Sequence, residues 1–137
     1  MKISFFILTI ILFPLLMSCN KEENIDFNTP PENTEHVNYY IKYEASCNSK
    51  YIGNVMKISV KTESGTQTFE GGRSFSQTFG PVHKGFNCKI DCFNTSHSSS
   101  YSEVIVNIYV SREKEPFALK KTASGTGKSS ASYTINF

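Results

Sequence analysis

Four cysteines and three histidines are the side chains of this 137-residue chain with the most specific chemistry. Cys88-Lys89-Ile90-Asp91-Cys92 is a CxxxC spacing rather than the CxxC of redox sites, and it falls in a run of alternating polarity. A reactive thiol needs a helix N-terminus or a neighbouring cation to depress its pKa, and nothing in that run supplies one. Zinc sites use close Cys/His pairs on turns. His36, His83 and His97 instead stand apart from one another, so no metal site is expected. Ser98-Ser99-Ser100 lacks the GxSxG of a nucleophile elbow. Gly71-Gly72 and Gly125-Thr126-Gly127 lack the strand-to-helix setting of a phosphate loop. No pair of carboxylates is placed by pattern for glycoside hydrolysis. Asn94-Thr95-Ser96 matches an N-glycosylation sequon and reads as a polar turn. No catalytic residue emerges, and the expectation is a protein that is not an enzyme.

Cys19 offers a different chemistry. It follows Leu16-Met17-Ser18 at the close of an apolar leader with Lys2 before it. Residues 3–16 would make a helix about 21 Å long, short of the ~30 Å a membrane span needs. A cleaved signal peptide is therefore favoured over a permanent anchor. Ser18 at −1 and Leu16 at −3 fit a lipobox, with cleavage between Ser18 and Cys19. The Cys19 thiol would take a diacylglyceryl group, and cleavage would leave Cys19 as the N-terminus, its amine carrying an acyl chain such as palmitate. This covalent lipid is the only cofactor expected. Each buried methylene adds about 0.8 kcal/mol, so two or three chains together hold a protein on a membrane. Lys21-Glu22-Glu23 resembles the signal that sends Bacteroidetes lipoproteins to the outer face of the outer membrane, and Asn20 is not an inner-membrane retention aspartate. The expected location is the outer membrane facing the cell surface, with a periplasm-facing anchor as the alternative.

The elements that must position any site come after residue 37. Residues 20–37 hold Glu22, Glu23, Asp26, Glu32 and Glu35 against Lys21, with a Pro30-Pro31 pair. Such a stretch buries too little apolar surface to offset its chain entropy, so residues 19–37 read as a lipidated N-terminus and an extended tether. Residues 38–137 form one domain with twelve Lys/Arg against seven Asp/Glu. The basic residues (Lys42, Lys57, Lys61, Arg73, Lys89, Lys120) are spread rather than clustered. They read as a solvated strand face, and no nucleic-acid partner is expected.

Alternation dominates this domain. Tyr39, Ile41, Tyr43, Ala45 and Cys47 mark one half-buried strand, and Met56, Ile58 and Val60 a second. A short strand over 66–70 follows Ser64-Gly65, and Gly71-Gly72 reads as a hairpin into 73–79. Gly80-Pro81 should break that strand. Phe86, Cys88, Ile90 and Cys92 mark the fifth strand. Residues 103–110 are apolar on both parities, which predicts a strand covered on both faces. Residues 117–122 and 131–137 close the domain, with Gly125-Thr126-Gly127 between them. About eight short strands without helical periodicity predict an all-β, Ig-like antiparallel sandwich.

With Cys19 lipidated, Cys47, Cys88 and Cys92 remain, all on inward parity. Cys88 and Cys92 lie about 13 Å apart along one strand, beyond the ~7 Å reach of a disulfide. Any intrachain bridge must therefore use Cys47. Strands one and five run the same way in an up-and-down order, which favours Cys47–Cys92 over Cys47–Cys88. Three buried thiols packing as small hydrophobes are the other reading.

The domain resembles the small β-sandwich lipoproteins of Bacteroidetes through its strand rhythm: residues 57–65, Gly85-Phe86, 106–110, 121–125 and 131–135. More faintly it is similar to the extracytoplasmic domain of small mycobacterial transport-accessory membrane proteins. The resemblance implies a sandwich fold and a non-enzymatic binding or accessory module on a lipid anchor. Its ligand surface would be loops 48–54, 80–85 and 94–102 at one end, with Tyr51, His83, His97 and Tyr101 as contacting side chains. The alternative is a transport or assembly accessory that docks on an outer-membrane protein by strand addition.

Overall fold

The computed structural model describes residues 36–50, 53, 55–96 and 102–137. The expected signal peptide, Cys19 and the expected tether up to residue 35 lie outside them. Eight strands follow one another without a helix among the described residues: β1 (Tyr39–Cys47), β2 (Met56–Thr62), β3 (Gly65–Gly71), β4 (Ser74–Val82), β5 (Asn87–Asn94), β6 (Glu103–Arg112), β7 (Ala118–Thr126) and β8 (Lys128–Thr134). They form two antiparallel sheets, ordered β4-β1-β6-β7 and β3-β2-β5-β8. The expected all-β sandwich is present. The β1–β4 pair in one sheet interlocks with β2–β5 in the other, and β8 adds beside β5. These pairings match B–E and C–F–G of an immunoglobulin domain. The β6–β7 hairpin falls between the F-like and G-like strands and covers the free side of β1.

The core follows from period-two patterning. Ile41, Tyr43, Met56, Ile58, Val60, Cys88, Ile90, Cys92, Val104, Val106 and Ile108 are buried, each one residue apart from a more exposed neighbour. Each fully buried aliphatic side chain contributes about 1.5–3 kcal/mol of transfer free energy. A one-residue slip would turn these faces to water, so the register is firmly set. Phe69 on β3 and Phe75 and Phe79 on β4 close one side of the sandwich, with the Phe69 and Phe75 rings 5.2 Å apart.

Tyr43 ties the two sheets together from within. The β2–β5 ladder runs from Met56↔Asn94 to Val60↔Ile90 and then stops. Continuing that register would pair Lys61 with Lys89. Instead the Tyr43 hydroxyl donates to the Lys61 carbonyl at 2.7 Å and accepts from the Lys89 N–H at 3.2 Å. A side chain from β1 thus replaces a ladder rung of the opposite sheet. The phenol is fully buried, and burial pushes its pKa well above the ordinary tyrosine value.

Four strand expectations change. Gly71-Gly72 is not a hairpin turn: β3 pairs with β2 and β4 with β1, so the chain crosses between sheets there. The facing phenylalanines favour that crossing, because a flat hairpin would leave both strands' apolar rows unstacked. Gly80-Pro81 does not end β4, which runs on to Val82 through a bulge opposite Tyr40. Gly80 has φ 137°, and a Cβ there would lie 2.9 Å from the Tyr39 carbonyl oxygen, so only glycine fits. Gly125-Thr126-Gly127 is not a long connection, since β7 reaches Thr126 and β8 starts at Lys128. Finally, β6 is covered on one face only. Val104, Val106, Ile108 and Val110 are buried, whereas Ile105, Asn107 and Tyr109 are half-buried, shielded by neighbours such as Lys42.

Candidate functional site

Strand directions sort the connections into two ends. Cys47, Met56, Gly71, Ser74, Asn94 and Glu103 gather at one end. Tyr39, Thr62, Val82, Asn87 and Arg112 gather at the other. The chain enters through residues 36–38 at the second, here the proximal end. The described parts of the β1–β2 and β5–β6 connections, residues 48–50, 53, 55, 95, 96 and 102, therefore belong to the distal end, as expected. Loop 80–85 belongs to the proximal end, which corrects the reading that placed all three together. The cause is strand direction: β3 runs toward the distal end and β4 back again, so the β4–β5 connection falls at the proximal end, and the pairing of β4 with β1 sets His83 beside the start of β1.

At the distal end, backbone hydrogen bonds lace the connections into one surface. Cys47 N–H donates to Arg73 at 2.9 Å, Thr95 N–H to Val55 at 2.7 Å and Gly127 N–H to Ser102 at 2.8 Å. Asn48 closes a two-point contact with Glu103, its N–H donating to the Glu103 carbonyl and its Oδ1 accepting from the Glu103 N–H at 2.7 Å. Asn94 Oδ1 accepts from both the Ser96 N–H and hydroxyl, at 2.8 and 2.7 Å, so the sequon is an Asx turn. Asn94 is buried, and its Nδ2 and the Ser129 hydroxyl are buried without a partner among the described residues. Three of the four predicted contact residues, Tyr51, His97 and Tyr101, lie outside the described residues.

At the proximal end, His83 does reach a concave surface. It lines an open hollow of about 350 Å³ with His36, Lys84, Arg112 and Phe137. The His36 and His83 rings stand edge to face, 6.4 Å between centroids. Turn 83–86 is fastened to the C-terminal segment by Gly85 N–H to Ile135 at 2.7 Å and Ile135 N–H to Phe86 at 3.1 Å. The Tyr39 hydroxyl donates to the Phe137 carbonyl. The incoming chain is clamped by Glu113: the Asn38 N–H donates to its Oε1 at 2.7 Å, and the Glu113 N–H donates to the Asn38 carbonyl at 2.8 Å. Glu113 adopts φ 51°, a left-handed conformation that aims its N–H back at Asn38. Nothing in the sequence pattern marked His36, Lys84, Arg112 or Glu113, because their association depends on how β4, β6 and the C-terminal segment meet.

The thiols have buried surroundings. Burial pushes Cys88 up to about 11 and Cys92 up to about 12, with Cys47 adding to the rise at Cys92. All three are free thiols in the core. Cys47 is thus the electrostatic neighbour of Cys92, while Cys88 lies beside Tyr43. On the outer sheet surfaces, Lys42 pairs with Glu44 at 2.9 Å and holds that carboxyl below its usual range. Burial alone would raise Asp91, but hydrogen bonds from Ser130 and Lys89 outweigh it and hold the carboxyl low. Among the described residues no group of three or more His, Cys, Asp or Glu side chains could hold a metal ion. No helix of the described residues is long and apolar enough to cross a membrane.

No protein-family model matches the chain, and no curated protein and no solved structure matches it either.

Proposed function

We propose that the chain is a cell-envelope lipoprotein, held by acyl chains on Cys19, whose sandwich acts as a non-enzymatic binding or accessory module. The observation that carries this reading is Leu16-Met17-Ser18-Cys19 closing the apolar leader. The fold is compatible with it. The chain enters the domain at the proximal end, opposite the laced distal end that would meet a partner. Thiols held at about 11 and 12 are poor nucleophiles at neutral pH, which weighs against thiol catalysis. Surface display on the outer membrane rests on Lys21-Glu22-Glu23 alone.

The test is metabolic labelling with a palmitate analogue, followed by mass spectrometry of the N-terminal peptide. The reading expects acyl groups on Cys19 and an unlabelled Cys19→Ala chain. An unmodified N-terminal peptide beginning elsewhere would overturn it. Protease treatment of whole cells then distinguishes surface from periplasmic display.

A second reading, docking on an outer-membrane protein by strand addition, has one specific support. Both edges of the first sheet are interrupted, β4 near Gly80 and β7 opposite Ile108–Tyr109. Bulges blunt an edge against pairing. The edges of the second sheet, β3 and β8, both carry unbroken registers, Gly65 to Gly71 and Lys128 to Thr134, so an added strand would go to that sheet. Pull-down from detergent-solubilised envelope should recover one stoichiometric membrane protein if this reading holds, and lose it on Thr68→Pro, which removes an edge donor, where β3 is the edge that pairs.

A further inference from the structure

Apolar exposure on this sandwich is lopsided. Its exposed large hydrophobic side chains among the described residues are Phe93, Phe117, Leu119 and Phe137, at 49, 38, 53 and 42 %. Phe93 is at the distal end. The other three gather at the proximal end, where the β6–β7 turn and the C-terminal segment meet the incoming chain. Cations stand over these rings: Lys120 Nζ lies 4.2 Å from the Phe137 centroid and Lys42 Nζ 5.7 Å from that of Phe117. Lys84 and Arg112 line the adjoining hollow with Phe137, and Lys114 sits in the same turn. The carboxylates nearby are Glu113, which is occupied by the Asn38 N–H, Glu115 and, at the β2–β3 turn, Glu63. Lys42 is paired with Glu44.

We propose that this proximal end is a membrane-contact surface, seating Phe117, Leu119 and Phe137 among anionic lipid headgroups with Lys84, Arg112 and Lys120 on their phosphates. Exposed aromatic and aliphatic side chains ringed by Lys and Arg are what a bilayer interface accommodates. The occupant is a lipid surface because of what the chain leads to. The stretch from Cys19 to His36 spans at most about 60 Å even when fully extended. On the lipoprotein reading, on which this inference rests, that leash keeps the proximal end near headgroups at high effective concentration. A weak interfacial patch then suffices to orient the sandwich, with the distal loops facing away. Each basic residue near an anionic surface strengthens binding several-fold, and salt screens it.

The experiment uses residues 20–137 without lipid. Every buried core residue lies between Tyr39 and Ile135, so this chain keeps the whole core. Co-sedimentation with vesicles of phosphatidylcholine alone is compared with an equal mixture of phosphatidylcholine and phosphatidylglycerol. The proposal expects binding to the mixed vesicles only, weakened by added salt. Both Phe117→Ser/Leu119→Ser and Lys84→Glu/Arg112→Glu should lose at least about tenfold in partitioning. A distal control, Phe93→Ser/Lys128→Glu, should change it by less than about twofold. Unchanged melting midpoints establish that each variant is folded; a variant that melts early is replaced by single Leu119→Ser or Lys84→Ala. Absence of binding to the mixed vesicles, equal binding to both kinds, or an equal loss in the distal control would overturn the proposal. Lipidation of Cys19 is read separately on the native chain, so failure of the anchor and failure of the contact surface give different results.

Discussion

Tyr43 sits at the meeting of β1, β2 and β5 with a single oxygen serving two backbone groups. Replacing it by Phe keeps the ring packed and leaves the Lys61 carbonyl and the Lys89 N–H without that partner. A buried polar group deprived of its partner costs about 1–3 kcal/mol. Tyr43→Phe should therefore lower the urea midpoint by that equivalent with an unchanged slope. A loss under about 0.5 kcal/mol would mean that β2 and β5 zip together once the hydroxyl is gone. The core thiols make a second prediction. Their folded pKa values, about 11 for Cys88 and about 12 for Cys92, exceed the unfolded value of about 8.5. Their contribution to stability is full below about 8.5 and is lost as pH climbs toward the folded values, because the unfolded chain ionises first. Chemical denaturation of the thiol protein from pH 7 to 10 should show falling stability, and a Cys88→Ala/Cys92→Ala chain a flatter decline. If an oxidant bridges the core, the partners should be Cys47 and Cys92. A Cys88–Cys92 peptide in a non-reducing digest would contradict the β5 assignment. The inward parity of all three cysteines was legible from alternation and the Cys47–Cys92 pairing was favoured by strand direction; the place of Cys88 beside Tyr43 required the stacking of one sheet on the other.

At the scale of elements, the crossings between sheets decide what lies where. Alternating patterns located the strands, because period two is a local property of the chain. They did not reveal that Gly71-Gly72 changes sheets, because a hairpin and a crossover use the same turn residues. Phe69, Phe75 and Phe79 held the missing information, as two apolar rows that stack across the sandwich. The last crossing has little room. A Cβ on Gly125 would meet the Lys128 carbonyl, so β7 and β8 must separate to admit one. Gly125→Ala should destabilise the domain by about 1–3 kcal/mol, read as a lower thermal midpoint. Ser130→Ala, which removes only an exposed hydrogen bond to Asp91, should change stability by less than about 0.5 kcal/mol. Equal effects of the two would argue against a tight β7–β8 crossing.

For the whole molecule, polarity is the organising property. One end receives the chain and carries His83, Lys84, Arg112, Phe117, Leu119 and Phe137, and the other carries the laced loops. If the proximal end faces lipid, a protease site inserted beside Gly53 should be cut on intact membranes more readily than one inserted beside Lys114. The opposite order, measured on the lipidated chain, would invert the proposed orientation. Clamping of Asn38 by Glu113 fixes the point where the chain enters the domain. Glu113→Gly should relax the left-handed strain but open that clamp, leaving the core melting temperature nearly unchanged while speeding amide exchange at Asn38.

The sequence by itself determined the strand class and the inward faces, because both are written in neighbouring residues as alternation every second position. Only the tertiary structure decided that His83 sits beside His36 and Arg112, and that Tyr43 completes a rung of the opposite sheet. Those facts depend on which sheet each strand joins, and that choice is made by packing of side chains far apart in the chain.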